Sequence, residues 1–197
     1  MRRPAKFGIG CLTIVLIVMS YRVLSVYEFR SGECMARPDR AVLLPTYPRR
    51  LVVMSFNVQG HAALLKGAHI DDVIATIRKY KPDVVGINEA HRRTWQSRFK
   101  DHVDHLRRNT GMNAVFGESY EQLGGQFGNL ILTRGRVASH HLYKLPGTGE
   151  PRTLLEAKIE IDGGTVMFYV THLAAWEKFN RAARGRQLEC LTRHLGS

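Results

Sequence analysis

Three polar residues stand directly after short apolar runs: Asn57 after LVVMSF, Glu89 after DVVGIN, and His172 at the end of the run TVMFYVT. An amide, a carboxylate and an imidazole at the ends of neighbouring strands can meet at one rim of a core. A carboxylate beside an amide oxygen suits a hard cation such as Mg²⁺, which keeps several waters and takes few protein groups plus substrate phosphate. A nearby imidazole can hydrogen-bond a phosphoryl oxygen or move a proton. Each residue alone is more readily a plain strand end; their joint placement strengthens the case for metal-assisted phosphoryl chemistry, and spacing alone leaves both readings open. The other histidines suit zinc less well. His102 and His105 lie at i, i+3 and His140 and His141 are adjacent, but no cysteine accompanies them and zinc needs three or four convergent ligands. Trp95 and Trp176 read as packing residues.

The elements that must hold these groups can be read from periodicity. Leu51–Phe56 and Asp83–Asn88 are buried strands, and between them His69–Tyr80 places Ile70, Val73, Ile74 and Ile77 at helical spacing until Lys81-Pro82 ends it. Residues 92–109 read as one very basic helix, whose arginines either track phosphates or form a solvated face. Asn113–Gly117 and Gly128–Thr133 are further strands around the loop Gly124-Gly125-Gln126-Phe127. Leu154–Ile161 alternates as a half-buried strand, Asp162-Gly163-Gly164 turns, and Thr165–Val170 returns. Glu177–Leu195 carries a helical pattern through Phe179, Ala182, Ala183, Leu188, Leu191 and Leu195.

Composition bounds the partners. The 197 residues contain 44% hydrophobic and 23% charged residues, which excludes collagen-like, coiled-coil and wholly disordered classes. Lys and Arg number 29 against 17 Asp and Glu, a formal +12 that favours polyanions. Nine of the bases and three of the acids fall in residues 1–50. The chain divides into a basic region, 1–6; an apolar span, 7–27; a Pro- and Arg-rich tether, 28–50; and a domain, 51–197. The 21-residue span would reach about 31 Å as a helix, enough for a bilayer core. Arg2, Arg3 and Lys6 would keep its start in the cytoplasm and leave the domain outside. An uncleaved anchor is expected over a cleaved signal, because Arg22 interrupts the approach to Ser25 and no A-x-A pattern follows. Of three cysteines, Cys11 lies in the span, so Cys34–Cys190 is the single bridge open outside it. No protein partner can be identified.

The segments LVVMSFNVQG, KPDVVGINEAH, GGQFGNLILTR, PRTLLEAKIEIDGGTVMFYVTHL and RGRQLECLTRHL, in that order, resemble the endonuclease/exonuclease/phosphatase superfamily of deoxyribonuclease I-like proteins. Asn88 stands where that family usually has Gln. The resemblance implies a four-layer α/β/β/α sandwich and a phosphoesterase dependent on Mg²⁺ or Mn²⁺. It implies Glu89 and Asn57 at the metal, His172 and Asn57 in catalysis, and Asn129, Arg152 and His91 as substrate contacts. Arg184 and Gln187 match its Arg-x-x-Gln helix. The family's later G-D-F-N and S-D-H motifs do not occur in these 197 residues. The domain is therefore expected to be incomplete at its C-terminus and marginally stable, with turnover near background. The substrate is a phosphate ester, from nucleic acid or a phospholipid headgroup; the alternative is a non-catalytic remnant or binding module of the same fold.

Overall fold

The computed structural model describes residues 34, 50–58, 70–122, 124–147, 149–174 and 177–195, without the side chains of 177–180. The apolar span, nearly all of the tether and Trp176 lie outside the described residues. Among the described residues no helix is long and apolar enough to cross a membrane.

Two sheets face each other. In the first, β1 (Val53–Asn57) runs parallel to β2 (Val84–Arg92), which pairs antiparallel with β4 (Gly125–Thr133), itself paired with β3 (Asn113–Gln122). The second is the antiparallel meander β5 (Arg136–Leu145), β6 (Arg152–Ile161) and β7 (Gly164–Thr171). Helices α1 (Ile70–Tyr80) and α2 (His102–Thr110) cover the outer face of the first sheet, and α3 (Glu177–Leu195) lies over the second. The result is the α/β/β/α sandwich expected from the sequence.

The alternation of each strand builds two cores. Val85, Ile87, Leu130 and Leu132 turn outward to meet Ile70, Val73, Ile74 and Ile77 of α1 and Val103 and Leu106 of α2. Val84, Val115 and Ile131 turn the other way, against Leu155, Ala157, Ile159 and Val170 of the second sheet. Small residues let the sheets approach. A Cβ on Gly117 would sit 2.6 Å from Leu142 Cδ1 and 3.0 Å from Leu155 Cδ1. Gly117→Ala should therefore lower stability by about 1–3 kcal/mol through overpacking, read as a lower denaturant midpoint.

Several elements differ from the periodicity reading. Residues 92–109 are not one helix: β2 continues to Arg92, turns occupy Trp95–Phe99, and α2 starts only at His102. The start is set by Asp101, whose side chain caps the helix by accepting from the Asp104 N–H. Trp95 and Phe99 are 52% and 63% exposed, so Trp95 is not a packing residue. Strand β5 was not expected, because RVASHHLYKL is mostly exposed and lacks the alternation that marks a half-buried strand. Helix α3 buries Ala183, Gln187, Cys190 and His194, while Leu188 and Leu195 stay 47% and 45% exposed. Specific bonds outweigh hydropathy on that face. Gln187 Oε1 accepts from the Ala174 N–H at 3.0 Å, His194 Nε2 lies 3.3 Å from Glu156, and Cys190 is bonded to Cys34 across 156 positions.

His102 gives the fold a pH dependence. Burial holds its pKa down to about 4, against partial opposition from Asp101. The folded state needs a neutral ring, whereas the unfolded chain protonates near 6.5. Stability is thus full above about pH 6.5 and falls as the pH drops to about 4, by up to about 3 kcal/mol. Urea midpoints across that range should show the loss, and His102→Phe should flatten it.

Candidate functional site

The rim where β1 and β7 end, β2 bulges and β6 begins gathers the polar groups. The parallel register Asn57↔Asn88 sets Asn57 beside the residue following Asn88. That residue, Glu89, lies in a β-bulge: pairing passes from Ile87↔Leu130 to Ala90↔Gly128, so Asn88 and Glu89 together oppose Asn129. Glu89 has φ 62°, in the left-handed region that costs a side-chain-bearing residue about 1 kcal/mol or more. The bulge turns its carboxylate to the rim, where Asn57 Nδ2 donates to Oε1 at 2.8 Å. Strand alternation alone does not aim Glu89 there; the extra residue does.

His172 follows β7 directly, and its Nδ1 is 3.9 Å from Glu89 Oε1. Arg152 opens β6, is 8% exposed, and donates from Nη1 to His172 Nδ1 at 3.0 Å. A guanidinium can only donate, so Nδ1 must be the accepting nitrogen and the proton of the neutral ring sits on Nε2. Glu150 Oε1 lies 3.3 Å from the same Nη1 and orients it. Arg152 Nε is buried without a hydrogen-bond partner among the described residues. A buried cationic donor left unsatisfied is costly, and its retention at the rim keeps positive charge there.

A second tier of polar groups supports the rim from below. Asn88 Nδ2 donates to Asn129 Oδ1 at 2.9 Å and to the Thr171 carbonyl at 3.1 Å. Asn129 Nδ2 reaches the Thr153 carbonyl at 3.2 Å, Thr171 Oγ1 donates to that same carbonyl at 3.0 Å, and Ser119 Oγ pairs with Thr153 Oγ1 at 2.7 Å. Gln187 of α3 holds the segment just after His172 through the Ala174 N–H.

Of the residues expected from the sequence, Asn57, Glu89, His172 and Arg152 come together. Asn129 is 2% exposed and lies one layer beneath them. His91 does not join: its side chain is 0% exposed, its Nδ1 is 2.7 Å from Thr94 Oγ1, and its ring packs edge-on against Phe127 and His102. A ring so enclosed presents no surface to a substrate. Glu150, Thr153 and the bridging role of Asn88 were missed. Asn88 carried a signal, the Asn in place of the usual Gln; Glu150 carried none.

The model of the Endonuclease/Exonuclease/phosphatase family matches residues 54–195. This chain belongs to the endonuclease/exonuclease/phosphatase family. Solved relatives share its fold. An endonuclease/exonuclease/phosphatase from Beutenbergia cavernae is 23% identical with a TM-score of 0.59, over 73% of this chain and 44% of its own. D. rerio TDP2 complexed with single-strand DNA product is 22% identical with a TM-score of 0.58, over 73% and 53%. The Bacteroides thetaiotaomicron mannosyl-6-phosphatase Bt3783 is 12% identical with a TM-score of 0.56, over 73% and 58%. The chain thus spans less than two thirds of the length of each. No curated protein sequence matches it. The family is one of phosphoesterase and nuclease-like hydrolases, generally dependent on divalent metal.

Proposed function

We propose that this chain carries the metal- and phosphate-binding part of a divalent-metal-dependent phosphoesterase, held in the membrane by residues 7–27 and facing outward. The observation that carries the reading is the contact series Asn57–Glu89–His172–Arg152 on one rim. The donor set fits the ion. Among the described residues no group of three or more His, Cys, Asp or Glu side chains could hold a metal. Mg²⁺ and Mn²⁺ at phosphoryl sites need only one or two carboxylates, with water and substrate oxygen for the rest. Glu89, steadied by Asn57, would hold the cation, which when bound supplies neutralisation of charge on the phosphoryl group.

The chain's own residues then divide the work. Arg152 holds His172 through Nη1 and brings a positive charge to the rim, where it would attract a phosphoryl group. With Nδ1 committed to Arg152, His172 offers Nε2–H to a phosphoryl or leaving oxygen and stabilises charge as water attacks phosphorus in line. The Cys34–Cys190 bond supports the outward orientation, since such bonds persist in oxidising compartments.

A second reading, a binding module without turnover, is favoured by one feature: among the described residues Glu89 is the one carboxylate beside Asn57 and His172, and the other carboxylate nearby, Glu150, faces Arg152. The test is Mn²⁺ binding and hydrolysis of a model phosphodiester by the 197-residue chain and by Glu89→Gln. Metal-dependent turnover lost in Glu89→Gln supports the hydrolase. Metal binding with turnover at background supports the module. No metal binding by the unaltered chain overturns both.

A further inference from the structure

We infer that the end of the sandwich opposite Glu89 and His172 docks on an anionic phospholipid surface, so that the candidate site points away from the bilayer holding the chain. The inference rests on the membrane anchor proposed above, not on the chemistry of the site.

The two ends are fixed by register. Glu89 is near the C-terminal end of β2; at its N-terminal end Val84 pairs with Thr133, the last residue of β4. At that second end Asp83 O accepts from the Arg134 N–H at 3.0 Å, and the Val52 N–H donates to the Asp83 carboxylate at 2.8 Å. Asn113 Nδ2 donates to Gly135 O at 2.9 Å and draws the α2–β3 corner to the same place. Between these elements lies an open cleft of ≈ 870 Å³ lined by Arg107, Arg108, Arg134 and Arg136. Lys81 and Arg50, just before β1, add to this end.

Asp104, shared by Arg107 and Arg108, and Glu160, paired with Arg136, are 38% and 40% exposed. Pairs this exposed are worth little and exchange readily for another anion. The residues lining the cleft include the four arginines and His140 and no Asp or Glu. A headgroup needs only charge, and each base near an anionic surface adds attraction.

The covalent path points to the same partner. Residues 28–34 connect the anchor to Cys34, and seven residues reach at most about 25 Å. Cys34 is bonded to Cys190, about one turn of α3 beyond Gln187 at the site end, and the chain then enters the first sheet at Arg50, on the basic end. Tethering at this range keeps the domain as a whole at high effective concentration near lipid, and the basic end is the face whose charge engages it.

The test is hydrogen exchange of the full chain in nanodiscs of phosphatidylcholine, alone or with phosphatidylserine. Phosphatidylserine should slow exchange about tenfold at residues 107–112 and 134–140, and added salt should reverse this. Replacing the four cleft arginines by Gln should abolish the slowing, and replacing them by Lys should retain it. Unchanged exchange at Leu130–Leu132 verifies that each variant is folded. Equal exchange in the two lipids overturns the inference, as does a chain that the discs fail to retain. Slowing at Trp95–Phe99 instead would turn the site toward the bilayer and also overturn it. Slowing by single-stranded oligonucleotide but not by phosphatidylserine would assign the cleft to nucleic acid. No turnover is measured, so failure here is distinct from failure of the phosphoesterase reading.

Discussion

Glu89→Gln is expected to lower Mn²⁺ affinity by at least about 100-fold, because removing outer partners of a metal site alone costs 10–100-fold. The substitution keeps shape, and the Gln oxygen can still accept from Asn57 Nδ2, so the bulge and its neighbours should persist. The change in stability should stay within about 0.5 kcal/mol. Titration calorimetry with Mn²⁺, beside a thermal melt, separates lost charge from lost fold. His172→Ala should behave differently. Metal binding is spared, and any turnover falls about 100-fold or more, since the imidazole acts on the phosphoryl group or its proton. Arg152→Gln should resemble His172→Ala more than Glu89→Gln, because it releases His172 Nδ1 and removes a positive charge from the rim. A loss of Mn²⁺ affinity in Arg152→Gln equal to that in Glu89→Gln would contradict this division.

Cys190→Ser is expected to cost about 5 kcal/mol. The bond to Cys34 closes a loop of 156 positions, and freeing a loop of that size restores correspondingly large entropy to the unfolded chain. Against a typical domain stability of about 5–15 kcal/mol the loss is large. Cys34→Ser should cost the same, and the double variant no more than either single one. Equilibrium unfolding with and without reductant measures all three. A strictly additive double variant would mean that the thiols act separately.

The fold was legible where residue type and spacing agreed. The α1 pattern, the buried strands around Ile87 and Leu130, and the hairpin at Asp162-Gly163 occur as read. Legibility failed where tertiary partners override hydropathy. On α3, His194 and Gln187 are buried because Glu156 and the Ala174 amide receive them, a fact with no local signature. Strand β5 presents an exposed, mostly polar sequence and exists because β6 pairs with it. In the site, polar residues after apolar runs pointed to Asn57, Glu89 and His172, but the bulge within β2 that aims Glu89 at the other two has no signature in the sequence. The locked tautomer of His172 has none either, because it depends on Arg152 arriving from another strand.

The polar seam beneath the rim has a consequence for how the two sheets find their alignment. An interface of Val, Ile and Leu alone is tolerant: slid by a residue pair, it still buries much the same area. The bonds Asn88–Thr171, Asn129–Thr153 and Ser119–Thr153, each running from one sheet to the other, are not tolerant, because any slip leaves several partly or fully buried amide and hydroxyl groups without partners. The seam thus works as a registration key, rejecting nearly isoenergetic stackings that the apolar core would accept. Asn88→Leu should then leave the helical signal in place while broadening the near-ultraviolet transition, the behaviour of a sandwich with more than one alignment open to it.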